Sequence, residues 1–213
     1  MPFPFAFLRA TLRVAFVALT IAAAPVHAAH TLLVFGDSLS AAYGLQASEG
    51  WVSLLAERIA GAKLAWSVVN ASVSGETTAG GLRRLPEDLK RHKPDIVVIE
   101  LGANDALRGQ PLAATRANLE KMVRLTREAR AQPVLVGLMI PPNYGIDYAR
   151  EFRELYARIA KREKVPIVPF LLAGVAEHDE LFQADRLHPT AAAQPVIRDN
   201  VWSTLEPLLA KKR

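Results

Sequence analysis

The chain has 213 residues, 51% of them hydrophobic, and no cysteine. That length builds one domain of ordinary size with a full core. A formal charge of +5 is too mild an excess to argue for nucleic acid, and a chain without cysteine has no disulfide, thiolate nucleophile or zinc-thiolate site.

Mean hydropathy is +0.14, and much of the apolar excess sits in the first two dozen residues. Residues 3–13 carry Arg9 and Arg13 and no acid, residues 14–24 are apolar, Pro25 breaks the run, and Val26-His27-Ala28 ends it with a small-x-small pattern. This is the layout of a secretory signal cleaved after Ala28, which implies a periplasmic or secreted mature chain, residues 29–213. The alternative is an uncleaved anchor, but the apolar run is about half of the roughly 20 residues that a spanning helix needs. Cleavage would remove Arg9 and Arg13 and no acid, so the formal charge would fall from +5 to +3.

Residues 31–35 read as a short strand. Residues 51–60 read as a helix with Val52, Leu55 and Ile59 on one face, and residues 64–69 as a strand rich in β-branched side chains. Residues 79–92 read as a helix made irregular by Pro86. Its basic end, Lys90-Arg91-His92-Lys93, suits a helix C-terminus, where cations complement the dipole; the Lys211-Lys212-Arg213 tail reads as solvated charge. Residues 95–101, Asp-Ile-Val-Val-Ile-Glu-Leu, are nearly continuous in apolar residues, the mark of a buried parallel strand. Residues 115–130 repeat apolar positions at helical spacing through Leu119, Met122, Val123 and Thr126. Residues 134–140 form another buried strand. Residues 148–164 form a helix with Phe152, Leu155, Tyr156 and Ile159 on one stripe, and residues 165–169 a last strand. Residues 190–209 form a closing helix disturbed at Pro195 and near Pro207.

About five β-α repeats call for a parallel sheet with helices on both faces, in one domain. Ligands of such sheets bind beyond the carboxyl ends of the strands. Every residue with chemistry to offer falls on that edge. Ser38 follows the first strand, Gly75 the second, Asn104 the third, Pro141 and Tyr144 the fourth, and Asp185 and His188 the last.

Ser38 lies in Gly36-Asp37-Ser38-Leu39-Ser40. A serine hydroxyl needs an adjacent base to act as a nucleophile. His188 can be that base, with Asp185 three residues earlier folding back onto the imidazole and Pro189 holding His188 extended. Read singly, each residue also has a plain structural role. Ser38 could cap a helix, Gly75 could sit in a turn, Asn104-Asp105 could form an Asx-turn or cap, and Asp185 could form a turn. Ser40, Ser72 and Ser74 rival Ser38, and His30, His92 and His178 rival His188, in weaker contexts. Asp37 and Asp105 read as scaffold. There is no Gly-x-Ser-x-Gly elbow, no phosphate-cradling glycine series, and no histidine spacing that suits a metal, so neither a cofactor nor a metal is expected.

Four segments together carry more weight than any one. Gly-Asp-Ser-Leu-Ser at 36–40, Ser-Gly-Glu at 74–76, Gly-Ala-Asn-Asp at 102–105 and Asp-Arg-Leu-His-Pro at 185–189 resemble, in order and wording, the SGNH (GDSL-type) hydrolase superfamily. Connecting text at 68–72, 107–109, 143–145 and 193–195 is similar to that of bacterial periplasmic esterases with thioesterase, lysophospholipase and arylesterase activity. The resemblance implies a three-layer α/β/α fold with a flavodoxin-like five-stranded parallel sheet in the order 2-1-3-4-5. It implies Ser38, His188 and Asp185 as the catalytic triad. Gly75 and Asn104 are implied as oxyanion donors, joined by the Ser38 main-chain N–H.

The expected substrate is a small-molecule or lipid acyl ester or thioester, taken by a monomer with at most peripheral membrane contact. Leu39, Leu107, Ile140, Pro141, Tyr144 and Leu187 offer an apolar wall for the acyl group. Added methylenes discriminate weakly in such a wall, by about 1–3 kcal/mol each, so specificity should be broad. The competing readings are a carbohydrate O-deacetylase of the same fold, a non-catalytic acyl-binding protein and, least favoured, a flavodoxin-type cofactor binder.

Overall fold

The computed structural model describes Met1 and residues 30–211. The expected signal segment and the expected cleavage after Ala28 fall outside the described residues, as do Lys212 and Arg213. Five strands, β1 (His30–Gly36), β2 (Trp66–Asn70), β3 (Ile96–Glu100), β4 (Gln132–Val136) and β5 (Ile167–Val168), make one parallel sheet in the order β2-β1-β3-β4-β5. The helices are α1 (Trp51–Gly61), α2 (Thr78–His92), α3 (Ala103–Leu107), α4 (Leu112–Glu128), α5 (Ile146–Glu163) and α6 (Gln194–Ala210). Helix α1 packs on α6, while α2 and α5 both pack on α4. The expected α/β/α sandwich and strand order are both present.

The centre of the sheet is the core. Residues Leu32, Leu33, Val34 and Phe35 of β1 and Val97, Val98 and Ile99 of β3 are wholly buried, which is why both read as unbroken apolar runs. Gly81 lets α2 lie close on the sheet, since a Cβ there would come within 2.5 Å of a Leu101 methyl. Helix α1 is preceded by Gly50, which has no side chain to cap it; instead Gln194, buried at the start of α6, accepts the Trp51 N–H at 3.0 Å.

The structure departs from the sequence reading at element ends. The fourth strand stops at Val136; beyond it Gly137 donates to the Val168 carbonyl at 2.8 Å, and a Cβ on Gly137 would lie 2.2 Å from the Pro169 carbonyl. The fifth strand shrinks to two residues between Pro166 and Pro169, neither of which has an N–H to give a ladder. Pro195 does not disturb α6 but stands in its first turn, where no hydrogen bond is lost. Pro86 and Pro207 lie inside α2 and α6 on exposed faces. Lys90, Arg91 and His92 form the last turn of α2, closed by Lys93 in left-handed conformation, so the basic run is a helix end. Among the described residues no helix is long and apolar enough to cross a membrane.

Candidate active site

Strand β1 delivers Ser38 to the carboxyl edge of the sheet. The chain turns at once, with the Ser40 and Ala41 N–H groups both donating to the Asp37 carbonyl at 3.2 and 2.9 Å. Ser38 is half-buried at the head of this turn. Its hydroxyl lies 2.8 Å from His188 Nε2, and His188 Nδ1 lies 2.7 Å from Asp185 Oδ2. A carboxylate can only accept, so Nδ1 carries the proton and Nε2 is left free to accept from the serine.

Asp185 is fixed by its own loop. Its Oδ1 accepts the Leu187 and His188 N–H groups at 2.9 and 3.0 Å. Those bonds and the one to the His188 ring pull its carboxyl down to about 2, the backbone N–H of His188 first among the causes. The fold-back depends on Arg186, held in the left-handed region at φ 55°. The loop closes through Phe182 and Pro189, an isolated bridge, and through the Gln183 N–H, which donates to the His188 carbonyl at 2.8 Å.

The serine turn and the histidine loop are clasped together by a residue the sequence reading passed over. Gln183 Nε2 donates to the Tyr43 carbonyl at 2.8 Å and to the Pro189 carbonyl at 3.0 Å. The Tyr43 ring then rests on the His188 ring, centroids 4.3 Å apart. A polar residue beside the Asp-x-x-His segment was the available signal, and it pointed to no single role.

Gly75 and Asn104, the residues expected as oxyanion donors, are tied to the same strand end. Gly36 donates to Ser72 Oγ at 3.1 Å and accepts the Val73 N–H at 3.0 Å, which seats the loop bearing Gly75. Gly75 has φ +78°, a conformation open to glycine, and Arg108 donates to its carbonyl at 3.1 Å. Asn104 stands in the first turn of α3, and its Nδ2 donates to Asp37 Oδ2 at 3.0 Å. One N–H of that amide remains for another acceptor. Among the described residues neither the Ser38 nor the Gly75 main-chain N–H has an acceptor. Asp105 is buried and accepts from the Thr78 N–H at 2.8 Å and from the Thr78 hydroxyl, joining α3 to α2. Asp37 and Asp105 are thus the scaffold residues expected of them.

A buried carboxyl, Glu100, sits under the turn. It ends β3 directly opposite Gly36 and accepts both the Asp37 N–H, at 3.2 Å, and the Ser40 hydroxyl, at 2.6 Å. Its place at the end of an otherwise apolar strand was visible in the sequence. Gly36 is glycine for this reason and not for a tight chain path, because its φ is not positive and a Cβ there would lie 2.5 Å from Glu100 Oε2.

The rivals are placed elsewhere. Ser40 is spent on Glu100 and Ser72 on Gly36. His30 pairs with Asp95 at 3.2 Å, His92 lies 4.0 Å from Asp88, and His178 meets Glu180 at 3.1 Å. Of the apolar wall, Leu107 is half-buried at the end of α3, and Pro141, Tyr144 and Leu187 are exposed. Ile140 is only 7% exposed and packs in the core, whereas its neighbour Met139 is 40% exposed.

Known proteins resemble the chain in sequence and fold. The family model described as GDSL-like Lipase/Acylhydrolase matches residues 34–195. Esterase TesA of Pseudomonas aeruginosa is 51% identical over 182 residues, 85% of this chain and 90% of that protein. The Escherichia coli protein named thioesterase 1/protease 1/lysophospholipase L1 is 41% identical over 186 residues, 85% of this chain and 86% of that protein. The psychrotrophic esterase EstA from Pseudoalteromonas sp., in a crystal structure inhibited by monoethylphosphonate, superposes with a TM-score of 0.81 at 41% identity, over 85% of this chain and 99% of that one. With its five-stranded sheet and four motif segments in one row along the sheet edge, the chain belongs to the GDSL-like lipase/acylhydrolase family.

Proposed function

We propose that this ester hydrolase cleaves acyl esters and thioesters through an acyl-enzyme on Ser38, with His188 as base, Asp185 as its partner, and the N–H groups of Ser38, Gly75 and Asn104 as oxyanion donors. The observation that carries the reading is the unbroken relay from Ser38 Oγ to His188 Nε2 at 2.8 Å and from His188 Nδ1 to Asp185 Oδ2 at 2.7 Å. His188 takes the Ser38 proton as Oγ bonds to the carbonyl carbon. The former carbonyl oxygen, now negative, is received by the three donors. The C–O or C–S bond then breaks, and His188 passes its proton to the leaving alcohol or thiol. Water repeats the sequence on the acyl-enzyme, releasing the acid and restoring Ser38.

Leu107, Pro141, Tyr144 and Leu187 form the acyl wall in this reading, with Ile140 supporting the Pro141 loop from the core. The site is complete within one chain, so the reaction needs no second copy. The signal-like residues 1–28 favour export, and an exported enzyme meets lysophospholipids, aryl esters and short esters sooner than cytosolic thioesters.

The test is labelling with a phosphonate serine probe followed by peptide mass analysis. A mass shift on the Ser38 peptide, lost in Ser38→Ala together with hydrolysis of p-nitrophenyl esters, is expected. Hydrolysis that survives Ser38→Ala would overturn the assignment. Faster turnover of acetylated sugars than of medium-chain esters would transfer the enzyme to the deacetylase class.

A further inference from the structure

Serine, histidine and aspartate account for proton transfer, but not for the buried acid beneath them. Glu100 is wholly buried, and its Oε1 meets no hydrogen-bonding group among the described residues. An acid in that setting is costly to keep and calls for a role.

We propose that Glu100 is a positioning residue for the hydrolase, clamping the turn on both sides of Ser38; this rests on the reading of Ser38 as nucleophile. Its Oε2 holds the residue before the serine, through the Asp37 N–H, and the second residue after it, through the Ser40 hydroxyl. The Ser38 backbone is therefore suspended between two points fixed to the end of β3. Each of those points is bonded onward. Asp37 Oδ1 accepts the Leu39 N–H at 3.0 Å and Oδ2 accepts Asn104 Nδ2 at 3.0 Å. The Ser40 carbonyl accepts Asn70 Nδ2 at 2.8 Å, and Asn70 Oδ1 accepts the Ser72 N–H at 3.1 Å. Glu100 is thus the common anchor of the serine turn, the Asn104 helix and the loop that leads to Gly75. One carboxyl fixes where the nucleophile stands relative to all three oxyanion donors.

The protonation state fits an anchor. Burial, and next the charge of Asp37, push the Glu100 carboxyl well above its ordinary value, which favours its neutral form. A neutral acid can be replaced by its amide. Glutamine at 100 retains an oxygen to accept from both Asp37 and Ser40; alanine retains nothing.

The test is steady-state kinetics of Glu100→Ala and Glu100→Gln on a p-nitrophenyl ester, with the rate of phosphonate labelling at Ser38 measured beside it. Misplacing a nucleophile by about 1 Å costs roughly 10²-fold, so Glu100→Ala should lower kcat by about that factor, with KM within about threefold, and labelling should slow in parallel. Glu100→Gln should recover at least about a third of the wild-type kcat. If the alanine variant does not fold, Ser40→Ala removes one arm alone and should lower kcat by about tenfold at unchanged KM. A kcat near wild type in Glu100→Ala or Ser40→Ala overturns the proposal, as does a glutamine variant no better than the alanine one. Labelling lost in Ser38→Ala keeps the nucleophile in place whatever Glu100 does; labelling that persists there shows that the nucleophile reading has failed.

Discussion

Ser38 and His188 stand 150 positions apart in the chain, and Ser38 Oγ lies 2.8 Å from His188 Nε2. Nothing local brings them together. Ser38 is placed by β1, an interior strand between β2 and β3, and His188 by a loop that reaches back from beyond β5 and is clasped to the serine turn through Gln183.

The relay predicts unequal losses. His188→Ala removes the base and should lower kcat by roughly 10⁴ to 10⁶, as in serine hydrolases whose triad is broken. Asp185→Asn keeps the shape but destabilises the working tautomer and should cost roughly 10⁴. Ester hydrolysis, with melting curves to show that the variants fold, checks both. Losses below tenfold would mean that another pair does the work.

Asn104 predicts a different signature. Its amide is anchored by Asp37 Oδ2, so one N–H is spoken for and the other is held ready. Asn104→Ala should lower kcat by about 10²–10³ and leave KM nearly unchanged, because the oxyanion exists only after attack. A rise in KM at constant kcat would assign Asn104 to ground-state binding instead.

The sequence made some of this legible and hid the rest, for physical reasons. The strands β1 and β3 were readable because a parallel strand buried on both faces must be apolar throughout. The contact of Ser38, His188 and Asp185 was legible only through the four motif segments, whose order and wording resemble a known family; spacing alone could not join residues 150 positions apart. The edge strand β5 was overextended in the reading because apolar residues near Pro166 and Pro169 mimic a strand, while the missing N–H groups limit the ladder. The five-residue helix α3 is too short to show a period. Gln183 and Glu100 could not be singled out in the sequence because each meets a partner far away in the chain, Tyr43 for one and Ser40 for the other.

Gly36 should be intolerant of any side chain. A Cβ there would lie 2.5 Å from Glu100 Oε2 and 2.7 Å from Ser40 Oγ, both buried. Gly36→Ala should cost about 1–3 kcal/mol by overpacking, and more activity than its stability loss implies, since the displaced groups hold the Ser38 turn. Urea denaturation beside kcat decides it. A variant of wild-type stability and activity would mean that the site relaxes freely.

The buried acids set a pH dependence. Burial raises the Asp37 carboxyl to about 6, opposed by the Leu39 and Asn104 N–H groups. A raised acid favours the folded state when protonated. Its contribution is therefore fully present below the ordinary value of 3.8 and is lost as pH rises through about 6. Measured against Asp37→Asn, which cannot titrate, wild type should lose on the order of 2 kcal/mol of relative stability between pH 4 and pH 7. Denaturation curves at those pH values give the difference, and a flat difference would mean that Asp37 does not titrate in this window.

Tyr144 and Ile140 separate the acyl wall from its support. Tyr144 is 44% exposed on the turn before α5, whereas Ile140 is 7% exposed in the core. Ile140→Ala should destabilise the fold by about 2–5 kcal/mol, the range for emptying a core site, and leave the order of preference among ester chain lengths intact. Tyr144→Ala should leave stability within about 0.5 kcal/mol, as surface changes do. It should also reduce kcat/KM for medium chains more than for acetate, as its proposed place in the acyl wall requires. Rates on p-nitrophenyl esters from two to twelve carbons distinguish the two residues. A chain-length profile shifted by Ile140→Ala and untouched by Tyr144→Ala would place the acyl group on the inner side of the loop.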